Sequence, residues 1–312
     1  MFRLSAATSE RVVRCLLQVL IAGVIAQTFG CASSSTATDA TPVALEGVRP
    51  NGVAVDASDG AVYLTDDGKS SVLRSSDGRT FVPYASIPQP SGLGISLSQL
   101  TFDDARNLLA VRFGFGSASA VFDVKGANGA IMLSGPNPAR RRLGIAAIGS
   151  QQALSTWFVK EGSTPATGGV SLLTYDAIAG RATERDLITG MGKPVGVVVS
   201  GDTVFVSDQA RNVIVRASLA NLLQSAQPVT AADTFAKIEN PDLMAGDGRG
   251  ALYTHCNSAS LCKVAPDGSV NEIATDFHDA RGVAADPARH RLYVVDRAAA
   301  GGTSYLRILP LR

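Results

Sequence analysis

PNGVAVDASDGAVYLTDDGKSSVLR, residues 50–74, is the stretch whose reading decides the fold. Val53 and Val55 flank Ala54, and Val62 and Leu64 flank Tyr63, the two-residue period of extended chain. Asp59-Gly60 and Asp67-Gly68 interrupt the runs with turn chemistry, because glycine tolerates positive φ. The result reads as three short antiparallel strands joined by tight turns. A sheet this small cannot bury both of its faces alone, so similar units are expected to stack beside it.

They recur along the chain: LSQLTFDDARNLLAVRF (97–113), RLGIAAIGSQQALSTWFV (142–159), PVGVVVSGDTVFVSDQARNVIVR (194–216), PDLMAGDGRGALYTHCNSASLCKVAPDG (241–268) and ARGVAADPARHRLYVVDRA (280–298). The spacing of about 40–50 residues is that of four-stranded propeller blades. FVPYASI, AIMLSG, TFAKIE and NEIATDF supply outer strands between units. The only helical hint is ANLLQSA at 220–226. The last unit reaches SYLRILPL and the chain then stops, one strand short, while PVALEG at 42–47 stands unclaimed before the first unit. The economical arrangement is an all-β, six-bladed β-propeller at 42–312, in which this N-terminal run closes the last blade and removes an exposed edge.

The chain has 312 residues, 46% hydrophobic and 18% charged, an ordinary globular balance. Its formal net charge is +1, and residues 1–30 carry +2 through Arg3, Arg11, Arg14 and Glu10, which leaves −1 for the rest. A near-neutral body argues against a nucleic-acid partner. The arginines precede an apolar run from Cys15 to Phe29 and then Gly30-Cys31-Ala32, the form of an export signal. At about 15 residues the run is short for a membrane span. Gly30-Cys31 resembles a lipoprotein lipobox, which implies a signal at 1–31, lipidation of Cys31 and a flexible linker at 32–41. Cleavage after Ala32 and an uncleaved anchor are the alternatives. The expected location is the periplasm or outer membrane, with a lipid as the only membrane contact, or else a soluble periplasmic or secreted form. The protein is expected to be a monomer.

In a propeller the start of each inner strand and the end of each second strand meet at one mouth of the central channel. The inner starts are Asn51, Ser98, Leu143, Val195, Asp242 and Arg281; the second-strand ends add Asp66, Arg112, Asp208, His255 with Cys256, and Asp296. Oxygen ligands gathered there could hold a hard divalent cation such as Ca²⁺. Such an ion could polarise a lactone or ester carbonyl while a carboxylate serves as general base. The same aspartates also stand before turns, where Asp bonds backbone N–H groups. Arg281 could pair with Asp242 or Asp296, or hold an anion. His278 lies in the loop entering the last unit and could face the mouth, and His290 reads as solvated.

The repeated form P-x-G-ψ-ψ-ψ-x-x-x-G-x-ψ-Y-ψ-x-D resembles the six-bladed propellers of the gluconolactonase/regucalcin family and the related NHL repeats, over residues 42–312. PDLMAGDGRGALYTHC matches that family's pattern best. The resemblance implies a metal held by a Glu before the first inner strand, an Asn opening a middle blade and the Asp of the fifth unit. Asp242 matches the last. The Asn falls at Val195, which cannot coordinate, and the Glu falls near Pro50, with Glu46 four residues earlier.

Cys256 and Cys262 flank a five-residue loop in a hairpin and are expected to form a disulfide, with free thiols or a metal role as alternatives. No G-x-S-x-G elbow and no phosphate loop is present. Three functions compete, one of them a structural or assembly role that scaffolds neighbouring envelope proteins. Another is an exported cell-envelope propeller that binds a small ligand or an envelope protein through Asn51, Asp208, Asp242, Arg281 and His278. The third is a metal-assisted lactonase or esterase with Asp242 as its catalytic residue.

Overall fold

The computed structural model describes residues 40–230 and 232–311. The export signal, Cys15 and Cys31 lie outside them. The described residues form six four-stranded antiparallel sheets. The first is Pro50–Val55, Val62–Asp66, Ser71–Ser75 and Val82–Ser86, built from the stretch quoted above. Inner strands of successive sheets touch in chain order and Ala280–Asp286 returns to Pro50–Val55, which closes a ring of six blades. The sixth sheet takes its outer strand from Ala40–Leu45, where Val43 pairs with Leu306 and Leu45 with Ser304. That strand begins two residues inside the stretch assigned to the linker.

Apolar side chains that alternate along each strand are buried between neighbouring blades. Val53, Leu64 and Leu73 of the first blade meet Tyr293, Val295 and Leu306 of the sixth. On its other side the first blade gives Tyr63, Val72 and Ile87 to the second blade's Leu97, Leu100 and Phe122. The core is therefore a set of inter-blade seams, and no blade can be stable by itself. The only α-helix among the described residues is Leu219–Gln224, capped where Ser218 Oγ accepts from Asn221 N.

Five of the six inner strands bulge just after they start, between Pro50/Val53, Leu97/Leu100, Arg142/Ile145, Pro194/Val197 and Ala280/Val283. Glycine is required in four of these bulges by contact, since a Cβ on Gly52, Gly144, Gly196 or Gly282 would lie 2.0–2.6 Å from the carbonyl oxygen of Ser98, Val195, Asp242 or Asn51 on the next inner strand. A hydroxyl on the second strand ties the same place together. Ser207 Oγ accepts from Gly196 N at 2.7 Å and donates to Asp242 O at 2.8 Å. Thr156 does the same between Gly144 N and Val195 O, both at 2.8 Å. The mouth residues are thus set by contacts between blades.

The turns depart from the expectation in one respect. Gly60 has φ +78°, but at Asp67-Gly68 the left-handed residue is Ser70, φ 46°. Asp67 instead turns its carboxylate toward the second blade, accepting from Leu97 N at 2.6 Å and Ser96 Oγ at 2.7 Å.

Candidate functional site

A cavity of about 590 Å³ opens at the mouth where the inner strands start. Asn51, Leu143, Val195, Asp242 and Arg281 line it, so five of the six inner-strand starts meet there. Phe113, Phe115 and Phe158 form an aromatic wall, with Phe113 edge-on to Phe115 at 5.1 Å between centroids. Arg141, Lys160, Lys193 and Arg297 complete the charged lining. Gln99 donates to Met244 O in the fifth blade at 3.3 Å and accepts from Ile145 N in the third at 3.1 Å. The opposite end of the ring has its own opening, lined by Asp56, Gln99, Thr101 and Asp103 among others.

Asp242 is buried, with Oδ2 3.2 Å from Arg281 Nη1. Arg281 also donates to Asp279 Oδ2 at 2.7 Å. Burial opposes the charge on this guanidinium, and Asp242 and Asp279 outweigh it, so its pKa rises. Arg297 is held by Asp67 at 3.0 Å. Among the described residues, Arg141, Lys160 and Lys193 have no carboxylate partner. Arg141, in the cavity lining, lies over Phe115 at 4.8 Å and over Phe158 at 5.7 Å, and its Nη2 donates to Lys160 O at 3.2 Å. Among the described residues the cavity lining thus carries five cations and one carboxylate, although the whole chain sums only to +1.

The remaining expected site residues have other roles. Asp208 is fully buried and does not line the cavity; its carboxylate accepts from Gly192 N at 2.8 Å and Lys193 N at 2.9 Å. Asp66 accepts from Arg49 N at 3.0 Å, and Asp296 from His278 N at 2.8 Å, in the equivalent way. Each of these aspartates clamps the loop that enters its own blade, a demand that takes the carboxylate away from any ligand. His278 also lies off the cavity, 3.2 Å from Asp296 Oδ2 and stacked on Tyr305. His255 has both ring nitrogens 2.6 Å from carbonyl oxygens, those of Ala280 and Asn240, and so joins the fifth and sixth blades. Arg112 donates to Ala118 O and Pro88 O, and Asn51 Nδ2 donates to Leu97 O at 2.6 Å. A disulfide joins Cys256 and Cys262, with Cα atoms 5.7 Å apart.

The calcium-type ligand set does not assemble. Among the described residues Asp242 is the only carboxylate lining the cavity, and it is already paired with the Arg281 guanidinium. Val195 offers no donor, and among the described residues no three His, Cys, Asp or Glu side chains converge. The residues present do not fit a divalent cation, and Asp242 serves as the counterion of Arg281.

Arg141, Lys193, Arg297 and the phenylalanines were absent from the sequence-based set. A signal for two of them existed. Arg141 and Lys193 stand two residues before the ring positions Leu143 and Val195, and residues two apart in extended chain share a face.

No family model and no curated protein matches the sequence. Solved structures do match. A gluconolactonase from Xanthomonas campestris has TM-score 0.63 and 16% identity, covering 85% of this chain and 86% of its own. The calcium-binding protein regucalcin from Agrobacterium tumefaciens has TM-score 0.63 and 14% identity, covering 86% and 90%. Virginiamycin B lyase from Staphylococcus aureus has TM-score 0.54 and 11% identity, covering 86% and 98%. At such identities the likeness concerns the fold: this chain is a six-bladed β-propeller built like those of gluconolactonases and regucalcin.

Proposed function

We propose that this chain is an exported cell-envelope protein that binds a small organic anion with an aromatic or similarly flat apolar part in the channel-mouth cavity. The observation that carries the reading is the convergence of Arg141, Lys160 and Lys193, none paired with a carboxylate among the described residues, on a cavity walled by Phe113, Phe115 and Phe158. The size suits a small molecule better than a protein partner, since ligand cavities run about 300–1,000 Å³ with apolar walls and few polar groups. The rings take the flat part and the cations take the charge. Asp242 holds Arg281 in place from beneath.

The likeness to gluconolactonases favours a second reading, lactone hydrolysis in the same cavity. Calorimetric titration with terephthalate, a flat dianion, separates the two when run beside aldonolactone assays with and without EDTA. Binding is expected to weaken with salt and to ignore EDTA. Arg141→Gln should weaken it about tenfold or more, the worth of one charge-assisted hydrogen bond at about 1.5–3 kcal/mol. Aldonolactone turnover that EDTA abolishes would reject the anion-binding reading in favour of hydrolysis.

A further inference from the structure

Lys193 joins a backbone held by hydrogen bonds on both sides to a charge that, like those of Arg141 and Lys160, meets no carboxylate among the described residues. It stands just before Pro194, the first residue of the fourth inner strand. Its N–H donates to the buried Asp208 at 2.9 Å, and its carbonyl accepts from Gln209 N at 3.0 Å. The side chain then runs to the cavity, where Nζ donates to Gln209 Oε1 and lies 5.9 Å from the centre of the Phe158 ring. Among the described residues an amide oxygen is the one hydrogen-bond partner of its Nζ, and no carboxylate pairs with it. Burial, together with the positive fields of Arg281 and Lys160, holds its pKa below the usual lysine value in spite of Asp242. More of this amine is therefore neutral near pH 7 than of an exposed lysine, and a neutral amine is a nucleophile.

Resting on the anion-binding reading above, we propose that Lys193 is a covalent attachment site for anionic carbonyl compounds, such as carboxylated aldehydes and 2-oxo acids. The cavity supplies what that chemistry needs: Arg141 and Lys160 for the ligand's carboxylate, aromatic walls for its flat part, and an amine fixed beside them. The Nζ lone pair forms a bond to the carbonyl carbon, and the carbonyl π pair moves to oxygen. That oxygen then leaves as water with both amine hydrogens, and a C=N bond remains. No electrons are gained or lost, and water reverses the reaction. Asp208 is a positioning residue here, acting through the backbone of Lys193.

The test uses the exported chain with 4-carboxybenzaldehyde and cyanoborohydride at pH 7, followed by peptide mapping. Lys193 should be trapped about tenfold or more faster than the exposed Lys69, the least expected when the carbonyl is held beside the amine. Uncharged benzaldehyde should show no such preference, and terephthalate should protect Lys193. Lys193→Arg should give no adduct at this position while melting with the parent, which shows that the chain still folds. Trapping of Lys193 no faster than Lys69 would overturn the proposal. If terephthalate still bound by calorimetry in that case, covalent attachment would fail and the anion-binding reading would stand. Equal preference for the charged and uncharged aldehydes would also overturn it, since recognition of the anion would then play no part.

Discussion

Arg142 is fully buried in the third blade, where Glu184 receives its Nη2 at 2.7 and 2.8 Å. Arg140 joins the same carboxylate at 2.6 Å, reaches Asp186, and lies 3.9 Å from the centre of the Trp157 ring. Burial alone would raise the pKa of Glu184, but Arg142, the N–H of Asn137 and Arg140 together bring it down to about 2. Its folded pKa is thus below the unfolded value of 4.5, so its stabilisation is complete above that pH and is lost as pH falls toward 2. Glu184→Gln should cost about 3–5 kcal/mol at pH 7, because it leaves Arg142 buried without a counterion. The gap between variant and parent should narrow at pH 3. Urea melts at the two pH values check this, and an equal gap at both would show that the charge of Glu184 is not what matters.

At the scale of elements, the sixth blade depends on a strand from the far end of the chain. Val43 and Leu45 of Ala40–Leu45 pack with Leu306, Val53 and Tyr293, in the seam between the last blade and the first. Deleting residues 42–47 removes both side chains from that seam, at about 1.5–3 kcal/mol each, and leaves Ser304–Pro310 as an open edge. The melting temperature should fall by about 10 °C, at roughly 2–4 °C per kcal/mol for a domain near this size. Deleting 33–39, which lies before the strand, should leave it unchanged. Equal melting temperatures for parent and both deletions would mean that this strand does not close the ring.

The molecule as a whole places a cation-rich cavity at one mouth of the ring, and export would decide what that cavity meets. No helix of the described residues is long and apolar enough to cross a membrane. Membrane attachment, if it occurs, is proposed to come from lipid on Cys31, because three arginines and a short apolar run lead to Gly30-Cys31. Intact-mass measurement of membrane-extracted protein should find a chain that begins at Cys31 with lipid attached. An unmodified chain beginning at Ser33 would overturn this and favour a soluble form.

Strands, turns and the number of blades were legible in the sequence because their causes are local. Period-two runs such as VAV and VYL, with AspGly between them, set strand and turn within a few residues. The six-fold recurrence of that pattern left a propeller as the economical way to bury it. The ring positions Asn51, Leu143, Val195, Asp242 and Arg281 were legible for the same reason, since each begins an inner strand. The chemistry of the mouth was decided only by the tertiary structure. Arg141, Lys193 and Arg281 come from three blades, and whether a cation meets a carboxylate or a phenylalanine depends on which blade stands opposite. Asp208 and Asp296 could be read in sequence either as ligands or as partners of backbone N–H groups, and the N–H groups of the loop entering the same blade claim them. A side chain's type is local information, but its partner is set by packing between blades.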